Sequence, residues 1–311
     1  MKLFLGVDGG QSGTTALIGG ETGRILGQGA AGPCNHAAAG AGRAKLERAV
    51  RASVAEACRE AGLDADAVRF AVACFGMSGG PEDKREILSA ILRADRLVVT
   101  TDAVTALAGA TSTGLGIVTI AGTGSIAFGR NAAGREARAG GWGYVFGDEG
   151  GAFDIVRQAA RAALRAEEGW GPPTSLRDAL PRATGAANAN EMLHRFYGDE
   201  WPRPRVAALA PVVGRAATAG DGVALEILNG AAIQLAMLTG AVRPQLWQPG
   251  EGVEVAYVGG VFRCDPLREK FRLLVEMEPG LRCAAPLHGP DRGALLEAYR
   301  QAGLNPQLRV S

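Results

Sequence analysis

One pattern constrains this chain more than any other: strand, Gly/Thr/Ser loop, strand, Gly turn, strand, met twice about 110 residues apart. In the first copy Leu3–Val7 runs into Asp8, and the loop Gly9-Gly10-Gln11-Ser12-Gly13 follows. Thr14–Gly19 and Ile25–Gln28 then flank a tight turn. In the second copy Gly116–Ile120 leads into Ala121-Gly122-Thr123-Gly124-Ser125, then Ile126–Gly129, a Gly134 turn and Arg135–Arg138. Behind the first copy the spacing predicts helices over Ala41–Ala61, Glu82–Leu92 and from Asp102, with strands Val68–Phe75 and Leu97–Thr101. Behind the second it predicts helices Gly151–Glu168, Asn188–Tyr197, Arg203–Ala219 and Ala224–Leu238, strand Val253–Val258, and a helix from Leu267. A last helix, Gly293–Ala302, is placed to pack back on the first half. The expectation is a duplicated sheet-plus-helix domain.

Length and charge narrow the function classes. A chain of 311 residues has room for two cores. Its 33 basic and 32 acidic side chains leave a net charge of +1, which gives nucleic acid or an anionic membrane nothing to read globally. The five cysteines, Cys34, Cys58, Cys74, Cys264 and Cys283, form no C-x-x-C pair, so free thiols in a reducing cytoplasm are expected. The stretch before Asp8 is too short for a secretion signal. Ala103–Gly129 carries no charge, but thirteen Gly, Ser and Thr break it into helix, turn and buried hairpin, not a membrane span.

Three glycine loops follow apolar strands: Asp8–Thr15, Ala121–Ser125 and Gly259–Phe262. Such loops expose successive backbone N–H groups, and the missing side chains let phosphate oxygens approach. Gly9, Gly10, Ser12, Gly13 and Thr14 are candidates in the first, and Gly122, Thr123, Gly124 and Ser125 in the second. Asp8 could hold Mg²⁺ through water. Asp102 ends a strand and starts a helix, where it serves either as a cap or as an acceptor of a hydroxyl proton. The Gly140–Gly151 stretch, with three aromatics and two acids among its glycines, suits close contact with a small polar ligand. Two motifs compete. Gly27–Gly32 matches G-x-G-x-x-G but opens no helix. Gly76–Gly80 matches the G-x-S-x-G nucleophile elbow, for which Asp265 and His288 would have to complete a triad around Ser78.

The motifs Asp8–Thr15, Thr100–Ala103 and Ala121–Ser125 resemble those of the sugar kinase, Hsp70 and actin superfamily. Gly140–Gly143, Gly147–Gly150 and Val258–Val261 are similar to the N-acetylglucosamine kinase branch, the BadF/BadG/BcrA/BcrD-type ATPases. The resemblance implies an α/β fold of two duplicated ribonuclease H-like (actin-like ATPase) domains. Each would have a mixed five-stranded sheet flanked by helices, with ATP in the interdomain cleft. The first lobe would span 1–107, completed by a C-terminal helix at 290–305, and the second 108–289 with helical insertions. By position, Gly259 and Gly260 would approach the adenosine. Asn35, Ser78, Gly79, Asp102, Gly141 and Asp148 would face the sugar, with Asp102 as general base. The implied activity is ATP- and Mg²⁺-dependent phosphorylation of an amino sugar, N-acetylglucosamine first, in a cytoplasmic enzyme for which a homodimer stays open. Animal members carry an aromatic residue two positions after the Asn of their Asn-His pair. Here Ala37 and Ala38 follow Asn35-His36, which keeps glucosamine or another hexosamine in play. Iron–sulfur activator ATPases of the same broad family place a cysteine in the second loop. Ile120 precedes Ala121 here, with no cysteine between Cys74 and Cys264.

Overall fold

The computed structural model describes residues 2–10, 13–34, 40–79 and 84–309, with backbone alone at 40 and 41. In chain order the elements are β1 (Leu3–Gly9), β2 (Thr14–Gly20), β3 (Ile25–Ala31), α1 (Gly40–Glu60), β4 (Phe70–Met77) and α2 (Arg85–Ile91). There follow β5 (Ala94–Thr101), α3 (Asp102–Ala110), β6 (Gly116–Ala121), β7 (Ser125–Arg130), β8 (Glu136–Gly140) and α4 (Ala152–Glu167). The helices α5 (Leu176–Thr184), α6 (Ala189–Phe196), α7 (Arg203–Ala207), α8 (Ala210–Thr218) and α9 (Gly222–Leu246) come next. The chain ends with β9 (Val253–Val258), a 3₁₀ turn at Gly260–Arg263, α10 (Asp265–Glu276), β10 (Leu281–Ala284) and α11 (Pro290–Gln301). Two compact units result: 1–115 with 286–311, and 116–285.

The first unit holds a sheet of order β3-β2-β1-β4-β5, antiparallel across β3-β2-β1 and parallel across β1-β4-β5. The second holds β8-β7-β6-β9-β10 with the same sequence of antiparallel and parallel pairings. The predicted duplication is thus present strand for strand. In the first unit α1 covers one face. A Cβ at Gly27 would lie 2.1 Å from Ala57 O, and one at Gly29 only 2.0 Å from Ser53 O. The G-x-G-x-x-G match is therefore a packing device that brings α1 onto β3, not a dinucleotide loop. The helix α11 covers the other face, where Tyr299 donates to Gly20 O at 2.7 Å beneath Phe4.

In the second unit α9 lies on the sheet against β6, β7 and β8. It is long and apolar enough to cross a membrane by length and composition, yet here it is a helix on a sheet face. Asp221 caps it, accepting the Ala224 amide at 3.0 Å, and it runs from Gly222 to Leu246, longer than expected. The single helix expected over Arg203–Ala219 is two, α7 and α8. Pro204 and Pro211 each lack an N–H and each sits in a first turn, where that N–H has no helical partner to lose, and the chain restarts its helix between them. The helix α5 and strand β10 were not expected.

Candidate active site

Asp8 is the last residue but one of β1 and Asp102 opens α3 directly after β5, so two parallel strands deliver two carboxylates to one end of the first sheet. Burial pushes the Asp8 carboxyl up to about 7, reinforced by the negative charges of Asp102 and Asp291. Burial also raises Asp102, while the Ala103 amide, the Ser78 hydroxyl and the Lys84 charge pull the other way. Ser78 follows β4, its amide donating to Gly9 O at 3.0 Å and its hydroxyl donating to Asp102. Ser78 is thereby committed to a carboxylate. The triad reading loses its histidine on position: the His288 amide bonds Gly109 O, seven residues along α3 from Asp102, to which Ser78 donates. A seven-residue step along a helix is on the order of 10 Å. Gly79 takes φ +81°, a backbone conformation that favours glycine.

Lys84 is fully buried at the start of α2, close enough for its charge to act on both Asp102 and Cys34. Sequence reasoning passed over it. The available signal was scarcity: among 33 basic residues only Lys2, Lys45, Lys84 and Lys270 are lysines. Asp291, in the first turn of α11, was also missed, and nothing local in the sequence joins it to Asp8. Ser12 and Asn35, two further expected site residues, lie outside the described residues.

The first glycine loop closes with the Gly10 amide donating to Gly13 O at 2.9 Å and Thr14 Oγ1 donating to Gly32 O at 2.8 Å. The second is tighter. Ala121 pairs with Ser125, so Gly122-Thr123-Gly124 is a three-residue connection. The amides of Ala152 and Phe153 donate to Gly122 O and Thr123 O at 2.8 and 3.1 Å, tying the loop to the start of α4. Gly259, at φ +116°, could carry no side chain, since a Cβ would lie 2.3 Å from Ala121 O. That close approach seats Gly259-Gly260 beside the second loop.

Gly10, Gly13, Gly122 and Gly260 tell a different story. None has a positive φ, and a Cβ on any of them would meet no atom of the described residues closer than 3.5 Å. Neither backbone conformation nor packing asks for glycine at these loop positions. Gly124 is otherwise: a Cβ there would strike the Asp148 carboxylate at 2.4 Å, so its need is internal, and φ > 0 plays no part.

Asp148 is buried and sits at φ +64°, unlike any other non-glycine described residue. Such a conformation costs roughly 1–2 kcal/mol for an ordinary L-residue and persists only where its surroundings impose it. Here the Gly151 amide bonds Asp148 O at 3.0 Å, Ser125 N–H donates to Oδ1 at 3.3 Å, and Arg203 pairs with Oδ2. Arg203 was missed, being one arginine among many in a helical insertion. Gly141, at φ +74°, donates its amide to Ser125 O and leaves Trp142 exposed under the Arg138 guanidinium.

Residues 5–298 match the BadF/BadG/BcrA/BcrD ATPase family. An N-acetylmuramic acid/N-acetylglucosamine kinase of Clostridium acetobutylicum is 31% identical over 284 residues, 89% of this chain and 91% of its own. An N-acetyl-D-glucosamine kinase of Dictyostelium discoideum is 29% identical, covering 83% of this chain and 85% of its own. Among solved structures, a candidate N-acetylglucosamine kinase from Chromobacterium violaceum superposes with a TM-score of 0.78 at 28% identity, covering 95% of this chain and 98% of that one. The fold shared with it is the pair of ribonuclease H-like sheets described above.

Proposed function

The chain belongs to the BadF/BadG/BcrA/BcrD ATPase family, and on that premise we propose that it transfers the γ-phosphoryl group of ATP to an N-acetylated amino sugar. The observation that carries the nucleotide half is the set of open glycines, Gly10, Gly13, Gly122 and Gly260, at loop positions where no contact among the described residues and no positive φ asks for glycine. A triphosphate needs that room and the bare amides around it. The sugar half rests on Asp102, which already accepts one hydroxyl, that of Ser78. In the reaction Asp102 takes the proton of the C6 hydroxyl as that oxygen attacks the γ-phosphorus, and ADP leaves with the broken bond's electrons. Asp148 is given the holding of sugar hydroxyls. The sugar is N-acetylglucosamine, or its acidic ether N-acetylmuramic acid, by likeness to the two kinases above.

No group of three or more His, Cys, Asp or Glu among the described residues forms a cage for a metal. Mg²⁺ in phosphoryl transfer asks for less, one or two carboxylates plus water and phosphate oxygens. Asp8, desolvated and facing two other acids, fits that demand and would hold the ion, which supplies positive charge to the phosphates.

The test is ADP release with ATP, Mg²⁺ and a panel of amino sugars. Fast turnover with N-acetylglucosamine and slow turnover without sugar is the expected result. Vigorous sugar-independent hydrolysis, unmoved by any hexosamine, would point to an ATPase that activates a partner enzyme. The second phosphate loop has its own test at Gly122, where an added Cβ meets no atom of the described residues within 4 Å. Gly122→Val is expected to leave the unfolding temperature within a few degrees and to weaken nucleotide binding at least tenfold. Unchanged affinity in the folded variant would remove this loop from the site. Gly124→Val would be a poor test, because it would displace Asp148 as well.

A further inference from the structure

A pocket of about 520 Å³ opens in the second unit between α4, the end of α6 and the start of α7. Its apolar walls are Phe153, Phe196 and Trp201, the last two with ring centroids 5.6 Å apart. Three guanidinium groups line it: Arg157, Arg161 and Arg203. The Nε atoms of Arg157 and Arg203 are shielded from water and have no acceptor. Each arginine spends another nitrogen on an acid, Arg157 on Asp154 and Arg203 on Asp148. Arg161 has no hydrogen bond or ion pair among the described residues. One acid, Asp199, also lines the pocket.

A buried N–H without an acceptor is costly, and native structures rarely tolerate one unless a ligand completes it. Two such donors and a free guanidinium around aromatic walls ask for an anionic oxygen group on a partly apolar carrier. Because Asp148 and Asp154 already balance two of the three cations, and Asp199 adds a further acid to the lining, the pocket suits a monoanion better than a phosphate dianion. Arg203 joins this pocket to Asp148, stacked at 5.1 Å over Tyr144 and 5.8 Å over Phe153. We propose that the pocket receives the carboxylate-bearing substituent of an acidic amino sugar whose hydroxyls Asp148 holds. Arg161 and Arg203 are then the specificity-determining residues. The assignment rests on the kinase reading above.

The experiment compares kcat/KM for N-acetylmuramic acid and N-acetylglucosamine in the wild type, in Arg161→Ala and in Arg203→Lys. Arg161 lies at the surface, so its variant is expected to fold, and the lysine keeps a positive charge beside Asp148 while losing the planar fork. The expected result is that the wild type phosphorylates the acidic sugar. The acid-to-neutral ratio of kcat/KM then falls about tenfold in each variant. A ratio unchanged in both folded variants overturns the assignment, as does refusal of the acidic sugar by a wild type that phosphorylates the neutral one. Either result leaves the kinase reading standing. If neither sugar is phosphorylated, the kinase reading falls and this inference falls with it. Lactate serves as a free-acid probe. If it binds saturably, the binding is lost in Arg161→Ala, and the sugar ratio does not move, the pocket takes a separate acid, and the substituent assignment is wrong.

Discussion

Asp102→Asn is expected to fold normally and to lose kcat by about 10²–10⁴-fold, the usual worth of a positioned base. The side chain is nearly isosteric, and its amide oxygen can still accept the Ala103 N–H at the start of α3. An asparagine caps a helix about as well as an aspartate, so a purely structural Asp102 predicts no rate loss. Stability separates the readings further. In the wild type Asp102 is a desolvated acid whose charge also raises Asp8, so removing that charge relieves a repulsion. The variant's thermal midpoint at neutral pH should therefore hold or rise while turnover collapses. Sugar affinity should largely survive, since the amide can still hydrogen-bond a hydroxyl. A base must also be unprotonated, and burial lifts this one, so wild-type kcat should climb with pH through a value above the ordinary aspartate range. Wild-type kcat in the folded asparagine variant would reduce Asp102 to a helix-opening residue and send the search to Asp148.

Much of this was legible in the chain because both copies use the same local chemistry. Alternating apolar residues with Gly turns mark three antiparallel strands, and the same marks recur after Gly116. The shared strand order then follows from duplication. What stayed hidden depends on distance in sequence. β10 is four residues long, too short for any period to show, and exists by pairing in parallel with β9. Gly27 and Gly29 read as a loop motif, yet their small size serves the approach of α1, which no strand pattern announces. The site divides in the same way. Asp8 and Asp102 were visible as acids at strand ends, where parallel sheets expose ligands. Arg203 and Asp291 reach their carboxylate neighbours from far along the chain, and two of the three partners around Asp148's left-handed backbone, Ser125 and Arg203, also lie far from it in sequence, beyond any local signal. Lys84 was readable only by asking why an arginine-rich chain keeps a lysine there.

Asp8→Asn is expected to stabilise the ligand-free protein at pH 8 and to abolish turnover. The sign follows from the direction of the shift. An unfolded aspartate titrates near 4, whereas burial and the charges of Asp102 and Asp291 lift Asp8 to about 7 in the fold. Between those values the folded chain binds a proton that the unfolded chain has released. The contribution to stability is complete below about pH 4 and is lost as pH rises through about 7. A shift of this size corresponds to a few kcal/mol at most, shared with the two neighbouring acids. Asparagine carries no charge to desolvate, so the variant should match the wild type near pH 4 and melt several degrees higher at pH 8. Function should move the other way. Without the carboxylate the divalent ion loses its protein anchor, and Mg²⁺ with ATP should raise the melting temperature of the wild type but much less that of the variant. Thermal melts at pH 4 and pH 8, with and without Mg²⁺ and ATP, measure both halves. A variant that is less stable at pH 8, or equally stabilised by Mg²⁺ and ATP, would show that Asp8 belongs to the fold and not to the phosphate site. The expected gain in stability at the cost of activity is what a carboxylate kept in an unfavourable place for a cation should show.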